Sequence, residues 1–166
     1  MLKHLIPLLA LATVVAARTD TISQAELLFV NTKPPTIKFT AVDGTKFDLA
    51  QWRGKVVLVD FWATWCPPCR REVPTIVAAY RKLHDKGFEV VGISLDQSKE
   101  QLMVFTKNNG MPWPQYFDGK GWENELSTRF HIEGLPTMWL LDKQGRIRND
   151  DPSDNLEAEI TKLLAE

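Results

Sequence analysis

The chain is constrained most by the stretch Lys55–Trp62 (KVVLVDFW), which is almost continuously apolar and follows Gly54. A half-buried strand alternates apolar and polar residues, whereas a continuous apolar run of this length is typical of a strand buried on both faces. Such a strand must lie inside a sheet and be covered by other elements on both sides. A second run of the same kind, Phe88–Ser94 (FEVVGIS), predicts its neighbour.

Between these two strands, residues 67–86 carry apolar side chains at helical spacing, and Gly87 ends the pattern. Strand, helix and strand in this order predict a parallel pair joined by a crossover helix. We therefore expect an α/β fold in one domain, with a parallel sheet core and helices on both faces. A closing hairpin adds an antiparallel edge.

The other predicted elements are shorter. They are a helix at Gln24–Val30, a β-hairpin at Thr36–Leu49, a helix at Ser98–Asn109, an extended piece within Met111–Asp118, a helix at Trp122–Phe130, the closing hairpin at Thr137–Leu141 and Arg146–Arg148, and a last helix at Asp154–Leu164 capped by Ser153. The tryptophans outside the cysteine motif, Trp122 among them, are mostly expected in the core.

The N-terminal stretch MLKHLIPLLALATVVAAR resembles a secretory signal. Lys3 supplies a positive start, an apolar run follows, and Ala16–Ala17 offer a small-residue cleavage site. The run is short for a membrane span, and an uncleaved anchor is the alternative. We expect a signal peptide or anchor at residues 1–17, an N-terminal segment at residues 18–35, and a single domain at residues 36–166.

An exported chain of this kind is expected in the periplasm or another extracytoplasmic space. It is soluble there after cleavage, or attached to the membrane if the N-terminal segment stays in place. The net charge of −1 provides no basic field, so nucleic acid is not expected as a partner.

The chain has two cysteines, Cys66 and Cys69, in the stretch WCPPCRREVP. Their spacing fits a redox couple, half of a zinc site or a structural staple. A disulfide closing so small a loop adds little stability, because that gain grows with loop length. Zinc needs about four ligands, and His84 and His131 are isolated in the sequence, so no metal site is expected. A redox-active Cys66–Cys69 disulfide is the interpretation that remains.

Cys66 lies where the buried strand gives way to a helix, and a helix N-terminus stabilises a thiolate. With Cys66 as N-cap, Pro67 and Pro68 occupy positions where an N–H has no intrahelical acceptor, so the first amide facing the Cys66 sulfur is that of Cys69. We expect Cys66 to be the exposed nucleophile and Cys69 the more buried resolving residue. Trp65 is expected to flank Cys66 on the surface and, with the two prolines, to contact the substrate.

Two acids are candidates for proton transfer to and from Cys69. Glu72 follows Cys69 by three residues on the same helical face, and Asp60 interrupts the buried strand, where a carboxylate is costly. A carboxyl with a raised pKa can accept or deliver the thiol proton. The alternatives are a solvated helix residue for Glu72 and a hydrogen-bonded strand-end residue for Asp60.

The stretch KVVLVDFWATWCPPCRREVP resembles the active-site segment of thioredoxin-like proteins, and it is most similar to the exported TlpA/ResA-like thiol–disulfide oxidoreductases. The similarity extends from the Ile37 hairpin to about Arg146, with an insertion between Ser94 and the Thr137 strand. Gly134–Thr137 (GLPT) matches the loop that carries a cis-proline. The resemblance implies an α/β, thioredoxin-like fold with an N-terminal β-hairpin and a central helix/strand insertion.

The same resemblance implies roles for individual residues. Cys66 matches the nucleophilic cysteine, Cys69 the resolving cysteine, and Pro136 the cis-proline beside them. Leu135 is expected to lend its backbone to a bound substrate chain that pairs as an extended segment.

The two acids match positions in two different groups of thioredoxin-like proteins. Glu72 falls on the acidic position that ResA-like members place near their cysteines. Asp60 falls on the buried acid of thioredoxin, where many TlpA-like members carry Asn. Which of the two accepts the Cys69 proton stays open, and the Pro-Pro dipeptide, unlike the Gly-Pro of thioredoxin, leaves the direction of electron flow open as well.

The leading expectation is an exported reductant of protein disulfides. The resemblance implies work in apocytochrome c maturation or copper-site assembly, with disulfide-containing exported proteins as substrates, a membrane thiol-reducing protein as electron donor and no cofactor. A disulfide oxidase or isomerase is an alternative, as is a binding module with idle cysteines. A peroxiredoxin-like enzyme would require Pro-x-x-x-Thr-x-x-Cys, which the segment Phe61–Cys66 lacks.

Overall fold

The computed structural model describes Thr32 and residues 36–166 of the chain. The predicted signal or anchor at residues 1–17 and the predicted helix Gln24–Val30 lie outside the described residues, as does most of the predicted segment 18–35. No helix in the described part is both long enough and apolar enough to span a membrane.

The predicted N-terminal hairpin is confirmed. It consists of β1 (Lys38–Thr40) and β2 (Lys46–Asp48), which pair antiparallel. Phe39 lies opposite Phe47, and their rings stack with centroids 4.7 Å apart. Both rings belong to the apolar cluster on one face of the main sheet, so the hairpin covers that face.

Among residues 36–166, the main sheet has five strands, β3 (Val56–Trp62), β4 (Phe88–Ser94), β5 (Gln115–Tyr116), β6 (Thr137–Leu141) and β7 (Ile147–Asn149). Their order across the sheet is β5-β4-β3-β6-β7. Every residue of β3 and β4 is buried, which confirms the two strands that the continuous apolar runs predict. The two strands run parallel, with Val56 opposite Phe88 and Trp62 opposite Ser94, so their carboxyl ends lie side by side.

On the other side of β3, strand β6 pairs antiparallel with Thr137 opposite Phe61, and β7 pairs antiparallel with β6. The closing hairpin therefore supplies the predicted antiparallel edge, and it adjoins β3 directly. Because β6 starts at the carboxyl end of β3, the loop before Thr137 lies at the same end of the sheet as Cys66.

In the described part of the chain, four helices cover the sheet, α1 (Pro67–Leu83), α2 (Lys99–Asn108), α3 (Glu125–Arg129) and α4 (Leu156–Ala165). Even-numbered residues of β3, such as Leu58 and Trp62, pack with α1, α2 and α4. Odd-numbered residues, such as Val59 and Phe61, pack with the hairpin and with Leu126 of α3. The alternation of strand side chains thus builds one hydrophobic core on each face of the sheet.

The crossover helix ends close to the predicted residue. After α1, a 3-10 turn at His84–Lys86 leads to Gly87, whose φ of 100° lies in the left-handed region that favours glycine. Pro74 lies inside α1 and does not end it. Helix α2 begins one residue after the predicted start, because Ser98 is its N-cap and the Ser98 hydroxyl oxygen accepts a hydrogen bond from the Gln101 amide at 3.3 Å.

The predicted helix Trp122–Phe130 is wrong in its extent. A 3-10 turn at Gly121–Glu123 comes first, and α3 begins only after Asn124. The Asn124 side-chain carbonyl accepts hydrogen bonds from two α3 amides at 3.0 and 3.1 Å, which makes Asn124 a cap that interrupts the helical pattern. The placement of Trp122 in the core is wrong too, because its side chain is 49% exposed on the preceding turn.

The predicted Ser153 cap of the last helix is also wrong. The Ser153 hydroxyl donates to the Asp151 carboxylate at 2.6 Å. Residues Ser153–Asn155 form a 3-10 turn, and α4 starts at Leu156. A local side-chain hydrogen bond competes here with the capping geometry, as short polar residues often allow.

We predict that Gly92→Ala destabilises the protein. A Cβ at this buried position in β4 would overlap the Gln115 carboxamide, whose oxygen accepts a hydrogen bond from the Trp62 indole at 3.0 Å. We expect a loss of about 2 kcal/mol in the free energy of unfolding, measured by urea denaturation. Gly134→Ala is the matched control, since its Cβ meets nothing within 4 Å. Equal stability of the two variants would contradict the prediction.

Candidate active site

The two cysteines form the disulfide Cys66–Cys69, with Cα atoms 5.3 Å apart, so the predicted pairing is confirmed. The chain reaches them from the carboxyl end of β3 through a short loop, and Cys66 is the N-cap of α1. The Cys66 amide donates to the Ala63 carbonyl at 3.2 Å, and the Cys66 carbonyl accepts the Arg70 amide at 3.1 Å. The disulfide is therefore held between a buried strand and the first turn of a helix.

The start of α1 has the predicted arrangement of prolines and amides. Pro67 and Pro68 occupy the first two helical positions. The Cys66 sulfur accepts a hydrogen bond from the Cys69 amide at 3.2 Å. Because proline carries no N–H, neither residue between the cysteines can donate to this sulfur.

The expected contrast in exposure between the cysteines is wrong for the disulfide form. Cys66 is 3% exposed and Cys69 is 2% exposed. Both belong to the apolar cluster under α1, which includes Met138 and is contacted by the half-buried Leu135. Bonding to each other and packing into this cluster removes both residues from solvent. Their roles must therefore be argued from their position on the helix, not from burial.

Asp96 positions the loop before Cys66, and sequence reasoning missed it. The carboxylate is 1% exposed and accepts the Thr64 amide through both oxygens at 3.1 Å and the Thr64 hydroxyl at 2.5 Å. The Ser94 hydroxyl donates to the same carboxylate at 2.8 Å. The available signal was an acid shortly after a buried strand, in FEVVGISLD, next to the strand that leads to the cysteines.

Asp60 lies in the middle of β3 and is 3% exposed. Strand alternation places it on the same face as Leu58 and Trp62, the face that packs against α1. Within the described part of the chain, its buried Oδ1 has no hydrogen-bond partner. The alternative to a proton-transfer role, in which Asp60 is only a hydrogen-bonded strand-end residue, therefore does not account for this oxygen.

Burial, and to a smaller extent the negative charge of Glu72, raise the pKa of Asp60 from 3.8 to about 7. Glu72 is half-buried in α1, one turn after Cys69. The structure thus brings both predicted acids close enough to influence each other. A carboxyl with this raised pKa is suited to gaining and losing a proton near neutral pH.

Trp65 lies on the surface beside Cys66, as expected, with 49% of the residue exposed. Its indole N–H donates to the Leu95 carbonyl at 3.3 Å. Its ring pairs with the equally exposed Trp122, with centroids 6.1 Å apart. Trp122 was missed as a site residue because its sequence context indicated the core. Pro67 is exposed and Pro68 is half-buried.

The Leu135–Pro136 peptide bond is cis. Both residues are half-buried in the loop before β6, and the Thr137 hydroxyl donates to the Gly134 carbonyl across that loop at 2.8 Å. Leu135 packs against the cluster that contains the disulfide. The structure therefore places this loop at the cysteines, while its contact with substrate stays a prediction.

Within residues 36–166, no group of three His, Cys, Asp or Glu side chains is placed to hold a metal ion. His84 stacks on Tyr80 with ring centroids 4.5 Å apart and lies 3.4 Å from the Glu89 carboxylate. His131 is exposed. What the site offers chemically is a disulfide at a helix start with a titratable carboxyl on the strand below.

Residues 30–150 match the model of the AhpC/TSA family. The thiol-disulfide oxidoreductase ResA of Bacillus cereus is 29% identical over 145 residues, which cover 85% of this chain and 82% of the relative. The thioredoxin domain of a thiol-disulfide oxidoreductase from Bacteroides vulgatus superposes with a TM-score of 0.73 at 29% identity, covering 81% of this chain and 97% of that domain.

A putative thiol:disulfide interchange protein DsbE from Chlorobium tepidum superposes with a TM-score of 0.70 at 30% identity, covering 81% of this chain and 97% of the other. These similarities confirm the predicted thioredoxin-like α/β fold. The Cys66–Cys69 disulfide lies within the matched residues. The chain therefore belongs to the AhpC/TSA family and is a thioredoxin-like thiol–disulfide oxidoreductase.

Proposed function

We propose that the protein is an exported reductant of protein disulfides. Its substrates are disulfide-containing exported proteins of the kind formed in cytochrome c maturation or metal-site assembly, and a membrane thiol-reducing protein returns it to the dithiol form. It works in the periplasm or another extracytoplasmic space, free or attached through residues 1–17. The names of its relatives, a thiol-disulfide oxidoreductase and a thiol:disulfide interchange protein, support this class of reaction.

The observation that carries the reductant direction is the single amide at the Cys66 sulfur. The first turn of a helix without proline presents several free N–H groups to the N-cap residue. In α1, Pro67 and Pro68 lack two of these N–H groups. Burial of both cysteines in an apolar cluster further disfavours a thiolate. A strong oxidant requires a stabilised thiolate in its reduced form, so a weakly stabilised thiolate favours the disulfide and makes the couple a reductant.

In the proposed reaction, the reduced protein begins with two thiols. The Cys66 thiolate attacks one sulfur of a substrate disulfide, that S–S bond breaks, and the other substrate sulfur leaves as a thiolate that takes a proton. Cys69 then loses its proton and attacks the Cys66 sulfur, which releases the second substrate sulfur. The substrate gains two electrons and two protons, and the protein is left with the Cys66–Cys69 disulfide.

The position of Cys69 suits it to the resolving step. It lies in the first turn of α1, after the N-cap Cys66, on the helix that packs over the Asp60 face of β3. Because the pKa of Asp60 is about 7, both of its protonation states are populated at neutral pH. Asp60 can therefore accept the Cys69 proton during substrate reduction and return it when the protein is recharged.

We predict a reduction potential near that of thioredoxin, about −270 mV, for the Cys66–Cys69 couple. Equilibration with defined ratios of reduced and oxidised dithiothreitol, with Trp fluorescence as the readout, measures it. The variant Pro67→Ala restores one N–H donor at the start of α1 and should raise the potential. A wild-type potential near that of DsbA, about −120 mV, would instead indicate an oxidase of folding proteins.

We predict that Cys69→Ser traps substrates on Cys66 as mixed disulfides, because the resolving thiol is missing. The adducts are separated on non-reducing gels after incubation of the reduced variant with extracytoplasmic extract, and mass spectrometry names them. Cys66→Ser is the matched control and should trap far fewer proteins. Absence of adducts on the Cys69→Ser variant would favour a binding module with idle cysteines.

We predict that Asp60→Asn slows the resolving step by about tenfold or more near pH 7. Resolution in the wild type should accelerate as pH rises through about 7, where Asp60 loses its proton, and the variant should lack this inflection. Stopped-flow release of a peptide thiol measures the step. Glu72→Gln is the comparison, and loss of the inflection in that variant alone would assign the proton transfer to Glu72.

The stability of the same variants provides an independent readout. The native pKa of Asp60 lies above its unfolded value of 3.8, so the native state binds more protons between about pH 4 and pH 7. The free energy of unfolding of the wild type should therefore fall as pH rises through this window, by up to about 4 kcal/mol relative to Asp60→Asn. A parallel pH dependence in both proteins would contradict the assigned pKa.

A further inference from the structure

Three adjoining depressions of about 590, 340 and 510 Å³ lie between the start of α1 and the outer face of α2. The first two share Arg70, Phe105 and Asn109, and the second and third share Val104. We call this feature the α1–α2 groove.

The groove begins at the reactive disulfide. Pro67, which follows Cys66 directly, lines its first depression, and Thr64, two residues before Cys66, lines the second. Thr64 is also the residue that Asp96 holds through its amide and hydroxyl. A chain joined to Cys66 through a mixed disulfide therefore has this groove as an immediate neighbour.

The residues lining the groove are unevenly charged. Four cations, Arg70, Arg71, Lys99 and Lys107, line it together with one acid, Glu100. The whole chain has a net charge of −1, so this is a local excess. In residues 36–166, none of these four cations is part of an ion pair.

The far end of the groove is apolar. Met103 and Val104 are 45% and 52% exposed there, and in the described part of the chain only Trp65 and Trp122 are other large apolar residues with comparable exposure. Phe105 is half-buried in the groove, with the Arg70 guanidinium 5.9 Å from its ring centre. Exposed apolar side chains grouped beside charged ones are typical of an interaction surface.

We propose that the α1–α2 groove binds the substrate polypeptide next to its reacting cysteine and selects acidic segments that carry an apolar residue. This proposal rests on the proposed function and names the class of its substrates. Acidic side chains meet the four cations, and the apolar residue covers Met103 and Val104. The groove adds affinity and orientation, while the thiol chemistry stays at Cys66 and Cys69.

The distance between Lys99 and Lys107 predicts how far apart two acidic residues of a substrate segment should lie. Lys99 and Lys107 are separated by about 12 Å along the helix axis, at 1.5 Å per residue. An extended chain covers about 3.3 Å per residue, so about four of its residues span this distance. A substrate segment with two acids four positions apart meets both lysines at once.

Two synthetic peptides test the proposal. Each carries one cysteine as a mixed disulfide with 2-thiopyridine and a leucine beside a pair of charged residues four positions apart, Glu in one peptide and Lys in the other. Cys66 attacks the peptide sulfur and thiopyridone leaves, and Cys69 then releases the peptide thiol as the Cys66–Cys69 disulfide forms. Thiopyridone absorbance gives the second-order rate constant for the reduced protein, and the uncharged dipyridyl disulfide serves as the reference substrate.

We expect the wild type to react about tenfold faster with the Glu peptide than with the Lys peptide at low salt. This preference should shrink at high salt, because exposed charges are screened. In Lys99→Glu/Lys107→Glu the preference should disappear or reverse. The matched control is Lys86→Glu/Lys162→Glu, which changes the net charge equally at exposed positions outside the groove and should keep the wild-type preference.

Three results would overturn the proposal. The first is an equal rate with both peptides, and the second is an equal loss of preference in the control variant. The third is a wild-type dimer in sedimentation that Lys99→Glu/Lys107→Glu dissociates, which would make the groove an interface between copies of this chain. Failure of the reduced protein to react with either peptide or with dipyridyl disulfide is a distinct outcome, because it contradicts the proposed function itself.

Discussion

The structure depends on the burial of β3 on both of its faces. All seven of its residues are buried, and their alternation supplies one hydrophobic core under α1, α2 and α4 and another under the hairpin and α3. Because β3 cannot shift without exposing one of these cores, its carboxyl end is a fixed point. Cys66 follows that end, and the parallel partner β4 ends beside it and supplies Asp96. The reactive loop is thus anchored to a strand that is buried along its whole length.

Asp60 is the one place where this strand departs from an apolar core. A carboxylate buried with an unpaired oxygen opposes folding, and its raised pKa is the measure of that cost. The cost makes physical sense where a group must exchange a proton in a site closed to water. The disulfide above it is equally shielded, which is why we propose Asp60 as the acceptor of the Cys69 proton. The same burial that destabilises the carboxylate gives it a pKa near neutral.

What the sequence predicts here depends on how local each signal is. The apolar runs of β3 and β4 and the helix that starts at Pro67 are determined by adjacent residues, and the structure confirms them. The hydrogen bonds of Asn124 and the exposure of Trp122 depend on what packs around them, so sequence periodicity placed both wrongly. Asp96 acts through Thr64, 32 residues earlier in the chain, and the burial of Cys66 arises from its bond to Cys69 and its packing near Leu135. Neither contact has a local signature.

Under the two proposals, the redox chemistry depends on the start of α1, whereas the choice of substrate also depends on a second element, α2. The start of α1, with its two prolines and a single amide at the Cys66 sulfur, governs how readily the disulfide forms. The exposed apolar residues Met103 and Val104 and two of the four cations of the α1–α2 groove belong to α2, whose buried side, at Leu102, packs into the core that contains the cysteines. The exposed side of α2 is free of packing constraints, so its residues can change without moving β3 or the helix start. A chain built this way can acquire new partners while its reduction potential stays the same.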